Sequence, residues 1–556
     1  MKKAACLVAL ALVVCMAFPL GAAMAVSVNM DAAMPIVTEP FEVNMVVVPQ
    51  SSAVDFKLEN NWMIQYLNKE TGLKINWTLV DNVVSKERIA MMCNSGDLPD
   101  SILGFTFTTG QLVQYGVSEK LFMPLKELIG QYAPTLTGVF EEKPNLKSAV
   151  TASDGDIYGF PSFSNIWNYP MRFFINARWL ERVGMENPST LEELKAVLTA
   201  FRDQDANGNG DPSDEIPWSN SWSQGQPIRS LILDAYGLVA NANGGGNIAL
   251  DYNTEDRQIV FMPATPTYKE YLYYMNGLWE EGLLDPDLFT QDKTQLQATV
   301  MEGRVGLAGM DAPYVADPEH QDDWVSVLAL VSEAGKTPVF PGPTGVLNPA
   351  MMVISADVDG DTAAVLTKLA DWFYTLEAYG FATYGPEAGS AYDYFNNGHY
   401  YDAATNTILY NMPANMSSAW THRVTNLTLW DIPGFSRNGY DPYRLSYAKV
   451  YPESAIGQQF KNGVVSRVDE IQQQEAKGPY YVVPVPEFFF SAEDLERLGE
   501  LQTPLQDYVA LMEAKFITGE TKIDAAYDDF IKTLEAYGVK EYMDIYQKYY
   551  EAYKAN

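Results

Sequence analysis

Two hydrophobic periods alternate along the first hundred residues. Apolar side chains occupy every second position from Phe41 to Pro49 and again from Leu73 to Leu79, which is the period of a β-strand. Between these stretches, Glu59 to Glu70 spaces its large apolar residues three and four apart, as an amphipathic helix does. A second helical stretch, Lys86 to Cys93, leads into the apolar run SILGF. Strand, helix and strand at these lengths predict a βαβ unit and a parallel sheet.

Further helices are predicted near the middle and the end of the chain. Thr190 and Glu193 have the spacing of a capping box before an amphipathic stretch that ends at Arg202, and Asp524 to Tyr553 is helical in pattern. A chain of 556 residues is longer than one typical domain, so we expect two lobes. We predict a first lobe from residues 26–160 with part of 350–430, and a second lobe from 161–349, completed by helical residues 431–556.

The first 25 residues are typical of an export signal. Lys2 and Lys3 precede an apolar run, and small residues around Ala25 predict cleavage there. Cys15 lacks the small residue that a lipidation site places just before its cysteine, so no lipid anchor is expected. The exported chain keeps only Cys93, which excludes a disulfide within it.

Composition narrows the range of possible functions. The net charge is −34, and no stretch is rich in Lys and Arg, which argues against binding nucleic acid or an anionic membrane. The three His residues have no zinc-site spacing, and neither a nucleophile-elbow nor a Walker motif occurs. A glycosidase carboxylate pair is left open, because 71 acidic residues make pairs inevitable and none stands out. Because no catalytic motif stands out in the sequence, we expect no enzyme activity.

The acidic stretch RDQDANGNGDPSDEIPW (residues 202–218) has the spacing of a calcium loop. With Asp203 counted first, oxygen-bearing residues fall at alternate positions and Gly208 falls at the sixth, where the chain must turn sharply. The alternative is a solvated acidic turn, but carboxylates this close repel one another without a cation. We predict structural Ca²⁺ held by Asp203, Asp205, Asn207, Asn209, Asp211, Asp214 and Glu215.

Seven segments, in this order, resemble family 1 of the extracellular solute-binding proteins, which serve carbohydrate ABC importers and include alginate-oligosaccharide-binding proteins. The segments are ETGLKINW, NSGDLPDSI, ASDGDIYGFP, FFINARWLERVGMENPSTLEEL, EEGLLDPDLF, YGPEAGSAYDY and AKFITGETKIDAAYDDF. The resemblance implies a two-lobed α/β periplasmic-binding-protein-like type II fold, with a hinge and an interlobe cleft. It also implies a monomeric receptor that binds an oligosaccharide in the cleft, closes on it and delivers it to ABC permease subunits. The calcium loop would be a structural element of the second lobe. An inserted DPS leaves open whether Asp211 or the Asp214–Glu215 pair completes the shell.

Sugar binding favours aromatic rings in loops, because sugar faces stack on rings while hydroxyls need polar partners. The alternative for the aromatic rings is packing in the core, and the alternative for the polar residues is a structural role in a turn of the backbone. The candidate ligand contacts are Asp100, Trp167, Tyr169, Trp218, Trp222, Tyr314, Glu387, Trp420 and Trp430. Rival interpretations are a receptor for a non-sugar solute, a secreted glycan-degrading enzyme, and a surface adhesin or sensor partner.

Overall fold

The computed structural model describes most of the chain. It covers residues 26–31, 34–163, 172–221, 227–240, 247–310, 317, 320, 323–327, 329–341, 345–404, 407–416, 418–429, 431–435, 447–463, 481–482, 484–485 and 487–555. The predicted signal segment lies outside these residues.

Strands and helices alternate along the described chain. The strands are β1 Phe41–Val47, β2 Leu73–Leu79, β3 Ser101–Phe107, β4 Phe160–Phe163, β5 Arg172–Asn176, β6 Ile216–Ser219, β7 Leu238–Ala240, β8 Ile248–Asp251, β9 Gln258–Phe261, β10 Val305–Met310, β11 Trp324–Ser326, β12 Phe340–Pro341, β13 Val346–Ile354, β14 His399–Asp402, β15 Thr407–Tyr410, β16 Gly434–Phe435 and β17 Tyr481–Val482. The α-helices are α1 Trp62–Glu70, α2 Ser85–Ser95, α3 Thr109–Leu112, α4 Lys126–Tyr132, α5 Pro134–Glu142, α6 Pro144–Val150, α7 Ala177–Val183, α8 Leu191–Asp203, α9 Pro227–Ala235, α10 Pro266–Glu280, α11 Lys293–Met301, α12 Gly360–Trp372, α13 Leu376–Tyr384, α14 Ala419–His422, α15 Ala455–Gly463, α16 Ala492–Ile517, α17 Ile523–Ala536 and α18 Val539–Ala555.

The predicted βαβ unit forms one end of a six-stranded sheet. β1 pairs in parallel with both β2 and β3, and the sheet order is β16-β4-β13-β3-β1-β2. Alternate residues of β1 enter different apolar cores: Met45 and Val47 pack on one face of the sheet, and Val46 packs on the other. Because both faces are covered, the parallel strands are shielded from water as such sheets require.

A four-stranded sheet organises the other half of the structure. Its order is β11-β5-β10-β6, and its core gathers the buried faces of α8, α10 and α16. The predicted capping box is confirmed at α8, where the Thr190 hydroxyl accepts from the Glu193 amide and the Glu193 carboxylate accepts from the Thr190 amide. This cap fixes the start of the helix that ends in the acidic loop.

The two largest apolar cores of the described residues, called the first core and the second core, lie in different lobes. Of the described residues, the first lobe contains those in 26–163 and 345–463, and the second contains those in 172–341 and 484–555. The two-stranded parallel sheet of β12 and β17 joins two of the places where the chain passes between the lobes, with Phe340 opposite Tyr481. The molecule is a two-lobed α/β protein, as predicted.

The predicted return to the second lobe at residue 431 is wrong. Gly434 and Phe435 form β16, which pairs with β4 in the first sheet, and Ile432 and Ile456 belong to the first core. Sequence periodicity could not reveal this, because a two-residue strand has no period. The chain returns to the second lobe only after residue 463.

A buried ion pair links three helices of the second lobe. Arg229 on α9 lies 3.3 Å from Glu513 on α16, and their side chains are 7% and 0% exposed. The other carboxylate oxygen of Glu513 accepts a 2.7 Å hydrogen bond from Tyr271 on α10, and Asn247 accepts from Arg229. Each charge therefore has a partner inside the core.

Glu513→Gln should lower the free energy of unfolding by about 3–5 kcal/mol, because it leaves the Arg229 charge buried without its counter-ion. Urea unfolding monitored by circular dichroism measures this. The matched control is Arg497→Gln, which removes exposed pairs with Glu500 and Glu541 and should cost much less, because solvent screens them. Equal losses in the two variants would contradict the role given to Glu513.

Candidate functional site

The carboxyl ends of three parallel strands share one edge of the first sheet. These ends are Val47, Leu79 and Phe107. The edge also carries the start of antiparallel β13 and the end of β4, because Val346 pairs with Phe163. Ligands of open α/β sheets bind beyond the carboxyl ends of parallel strands. This edge, from which the chain also leaves toward the second lobe, is therefore the first-lobe side of the candidate cleft.

The second sheet presents a comparable edge. β6 and β10 are parallel, with Ala308 opposite Ser219, and antiparallel β5 begins where β10 ends, with Arg172 opposite Met310. The chain therefore enters or leaves segments 164–171, 222–226 and 311–316 beside this one edge. Those segments carry the predicted residues Trp167, Tyr169, Trp222 and Tyr314, which lie outside the described residues.

A buried polar network supports this second edge. Asp285 accepts from the Ser219 hydroxyl at 2.5 Å and from the Gln291 amide at 3.0 Å. Gln291 also donates to the backbone oxygen of Asn220, and its own backbone oxygen accepts from Ser221. All five residues are less than 10% exposed. Sequence reasoning missed this network, although the apolar-then-polar step of IPWSNS marks the end of a strand.

Trp218 is not a ligand contact in this structure. Its side chain is fully buried in the second core, with its ring centroid 6.0 Å from that of Phe173 in an edge-on arrangement. The sequence suggested that Trp218 lies in a loop. It lies instead in strand β6, with its side chain on the face of the sheet that packs against the core.

Asp100 holds a structural position. It directly precedes β3, so it lies at the amino end of that strand, whereas the candidate cleft is at the carboxyl ends. Its carboxylate accepts from the backbone and side-chain amides of Asn44 at 2.7 and 3.1 Å, and its carbonyl accepts from the Ser355 amide. These bonds fix the register of β1 and β3, and the place of Asp100 at the amino end of β3 favours this structural role over the predicted ligand contact.

Trp420 lies in a segment that covers the first-lobe edge. The π-helical turn Arg423–Leu427 follows α14, and Thr425 accepts from the amide of Val54, in the loop that follows β1. The guanidinium carbon of Arg423 lies 5.8 Å from the Trp420 ring and 5.3 Å from the Tyr384 ring. Sequence reasoning missed Arg423. The predicted Trp430 lies outside the described residues.

Glu387 is exposed and bridges through its backbone to His399 at the start of β14. His399 itself is 2% exposed, between Tyr384 and Tyr410. Burial lowers the pKa of His399 from 6.5 to about 4, against the opposing effect of nearby carbonyl groups. The ring is therefore neutral at pH 7 and belongs to the packing behind the edge.

The acidic loop folds around Asp205. Its carboxylate accepts from the amides of Gly208 and Gly210 at 2.8 and 3.0 Å, and both glycines have positive φ, 78° and 93°. By contrast, Asp203 is the last residue of α8, exposed and paired with Arg202. Hydrogen bonding to Arg202 lowers the pKa of Asp203.

The far side of the loop concentrates negative charge. Asp214 accepts from the amide groups of Asn207 and Asn209, each at 2.8 Å. One buried oxygen of Glu215, Oε2, has no hydrogen-bond partner. Burial, aided by Asp214 and Asp205, raises the pKa of Glu215. Asp211 instead accepts from Ser213. A partnerless buried carboxylate oxygen and a set of carboxylate and amide oxygens are what a hard cation such as Ca²⁺ prefers.

The described residues contain no group of three or more His, Cys, Asp or Glu side chains arranged to hold a metal ion. In the acidic loop, both carboxylate oxygens of Asp214 accept hydrogen bonds from side-chain amides, one from Asn207 and one from Asn209. Among the same residues, no helix is long and apolar enough to cross a membrane.

The chain belongs to the bacterial extracellular solute-binding proteins, whose family model matches residues 55–380. Membership in this extracellular family makes it an exported protein.

Similar proteins bind oligosaccharides. The chain is 29% identical over 516 residues to the fructooligosaccharide ABC transporter substrate-binding protein FusA of Streptococcus pneumoniae, covering 89% of this chain and 87% of that one. The structure of the FusA EF-hand mutant with fructo-nystose superposes with a TM-score of 0.68 at 24% identity, covering 93% and 100% of the two chains. Alginate-binding protein AlgQ2 without calcium ion gives a TM-score of 0.64 at 16% identity over 94% and 100%. The latter two show the fold.

The burial of His399 predicts a pH dependence. Its folded pKa of about 4 lies below the unfolded value of 6.5, so the unfolded chain binds the extra proton and stability falls as the pH drops from 6.5 to 4. From this ring alone we expect a loss of about 3 kcal/mol between pH 7 and pH 4. In His399→Phe, the loss measured by urea unfolding should shrink by that amount. An unchanged pH dependence would contradict the prediction.

Proposed function

We propose that this protein is the substrate-binding receptor of an ABC importer. It captures an oligosaccharide between its two lobes and delivers it, chemically unaltered, to permease subunits in the membrane. The observation that carries the proposal is that β4 ends at the first-lobe edge with Phe163 and β5 begins at the second-lobe edge with Arg172, so one crossing of the chain joins two strand-end edges. Closure of such lobes is a hinge motion stabilised by a ligand that contacts both.

The similarity to FusA supports a fructooligosaccharide as the first ligand to test, because the match extends over most of both chains. Trp420 with Arg423 would supply the first-lobe contact, together with Glu387. Trp167, Tyr169, Trp222, Tyr314 and Trp430 remain candidates in segments that adjoin the same edges. Similar proteins described as substrate-binding support a receptor over a glycan-degrading enzyme. The receptor acts as a monomer after signal cleavage near Ala25.

We also propose that the acidic loop binds Ca²⁺ as a structural ion, with Asp205 and not Asp203 as the first ligand. Counting from Asp205 places Asn207 and Asn209 third and fifth, and it makes Gly210, with φ 93°, the sixth residue. Glu215, with its partnerless oxygen, would complete the shell together with Asp214. The ion would neutralise these carboxylates and fix the connection between α8 and β6.

Calcium should raise the melting temperature of the chelated protein, because binding only to the folded state stabilises it. Asp205→Asn should weaken calcium binding at least tenfold in a calorimetric titration. The matched control is Asp203→Asn. It changes a neighbouring acidic residue that lies outside the loop counted from Asp205, so this variant should bind calcium like the wild type. Loss of binding in the control alone would restore Asp203 as first ligand, and no heat in the wild type would remove the calcium proposal.

The wild-type protein should bind kestose or a longer fructooligosaccharide in calorimetry, and chromatography should recover the sugar intact. Trp420→Ala should weaken binding about tenfold or more, equal to about 1.4 kcal/mol, because the ring face is lost.

Tyr400→Ala is the control for Trp420→Ala. Tyr400 is 41% exposed and adjoins His399 in β14, so it faces away from the packing behind the edge. This variant should bind as the wild type does. Recovery of cleaved sugar would instead favour a glycan-degrading enzyme. Equal affinities of the Trp420 variant and the wild type for the sugar would reject Trp420 as a ligand contact.

A further inference from the structure

The segment between β17 and α16 is held by both lobes at once. Phe489 is 8% exposed and belongs to a core of the first lobe that includes Phe105 and Phe107 of β3. Its two neighbours, Phe488 and Phe490, belong to the core of the second lobe. Adjacent side chains of an extended chain point in opposite directions, so three consecutive rings can enter two different cores.

The second-lobe attachment is tight. The ring of Phe490 lies 5.1 Å from that of Tyr546 and 4.7 Å from that of Tyr549, both on α18. The next amide, that of Ser491, donates to the Tyr549 hydroxyl, and the Ser491 hydroxyl caps the first turn of α16. The phenylalanine segment is therefore continuous with the rigid body of the second lobe.

A further contact joins the lobes at Leu495, the fourth residue of α16. A Cβ added to Gly110 would lie 2.8 Å from Cδ2 of Leu495, so the backbone of α3 packs directly on this side chain. α3 starts two residues after β3 ends, which places it at the first-lobe edge of the candidate cleft. Phe489 and Leu495 thus attach α16 to both the core beneath that edge and the edge itself.

We infer that Phe489 is a positioning residue that sets how the two cleft edges face each other. Its ring fixes the second lobe to the strand that carries the first-lobe edge, without itself touching ligand. Removing it widens the range of lobe orientations in the free protein and reduces the fraction that is ready to close. Apparent affinity falls by that same fraction. This inference rests on the proposed receptor function for its ligand readout.

The test compares Phe489→Ala with Phe490→Ala and Phe489→Leu in the full chain. Kestose is the probe for calorimetry and stopped-flow binding, and small-angle scattering reports the ligand-free shape. We expect Phe489→Ala to weaken binding at least fivefold, mainly by slower association, and to increase the radius of gyration of the free protein. Phe489→Leu keeps an apolar anchor and should restore both values to within twofold of the wild type.

Phe490→Ala separates positioning from stability. It removes a ring of similar burial from the second core alone, so its melting temperature should fall while its affinity and free shape stay as in the wild type. A Phe489→Ala protein with wild-type affinity and wild-type scattering would overturn the inference. If the wild type binds no kestose, the proposed ligand fails, but the scattering comparison still decides the role of Phe489.

Discussion

The direction of three strands is the constraint on which the rest of the molecule depends. Because β1, β2 and β3 are parallel, their carboxyl ends lie at one edge. β4 runs in the same direction and ends at that edge, and antiparallel β13 begins there, so the crossing chain meets the same edge. The second sheet repeats the arrangement with β5, β6 and β10. The chain between Phe163 and Arg172 connects the two edges, and strand direction is therefore what places the candidate cleft at them.

Each edge is stiffened by buried groups that lie behind it. In the second lobe, Asp285 and Gln291 bind the end of β6 through hydrogen bonds inside the protein, where an unpaired polar group would be costly. In the first lobe, the loop after β1 is attached to the turn at Thr425, and neutral His399 fills the space behind it. Such support holds ligand-facing side chains in place, and closure can then act on two rigid bodies.

Charged side chains have different roles in the core of the second lobe and in the acidic loop. Arg229 and Glu513 compensate each other completely within the second core, so that pair is part of the fold. Glu215 keeps a buried oxygen without a hydrogen-bond partner, beside Asp214 and Asp205. The side-chain amides of Asn207 and Asn209 donate to Asp214 and compensate only part of the negative charge of these carboxylates. The proposed cation would therefore offset charge that the described residues of the loop leave uncompensated.

The sequence by itself determined the local elements and the family. Periodicity located β1, α1, β2 and α8, and the capping box at Thr190 was correct, because these features depend on residues a few positions apart. Tertiary structure alone decided the rest. It buried Trp218, placed Asp100 at the amino end of β3, folded the acidic loop around Asp205, and kept the described residues between 431 and 463 in the first lobe. Each of these depends on which distant strand or helix lies beside the residue, and spacing along a chain carries no record of that.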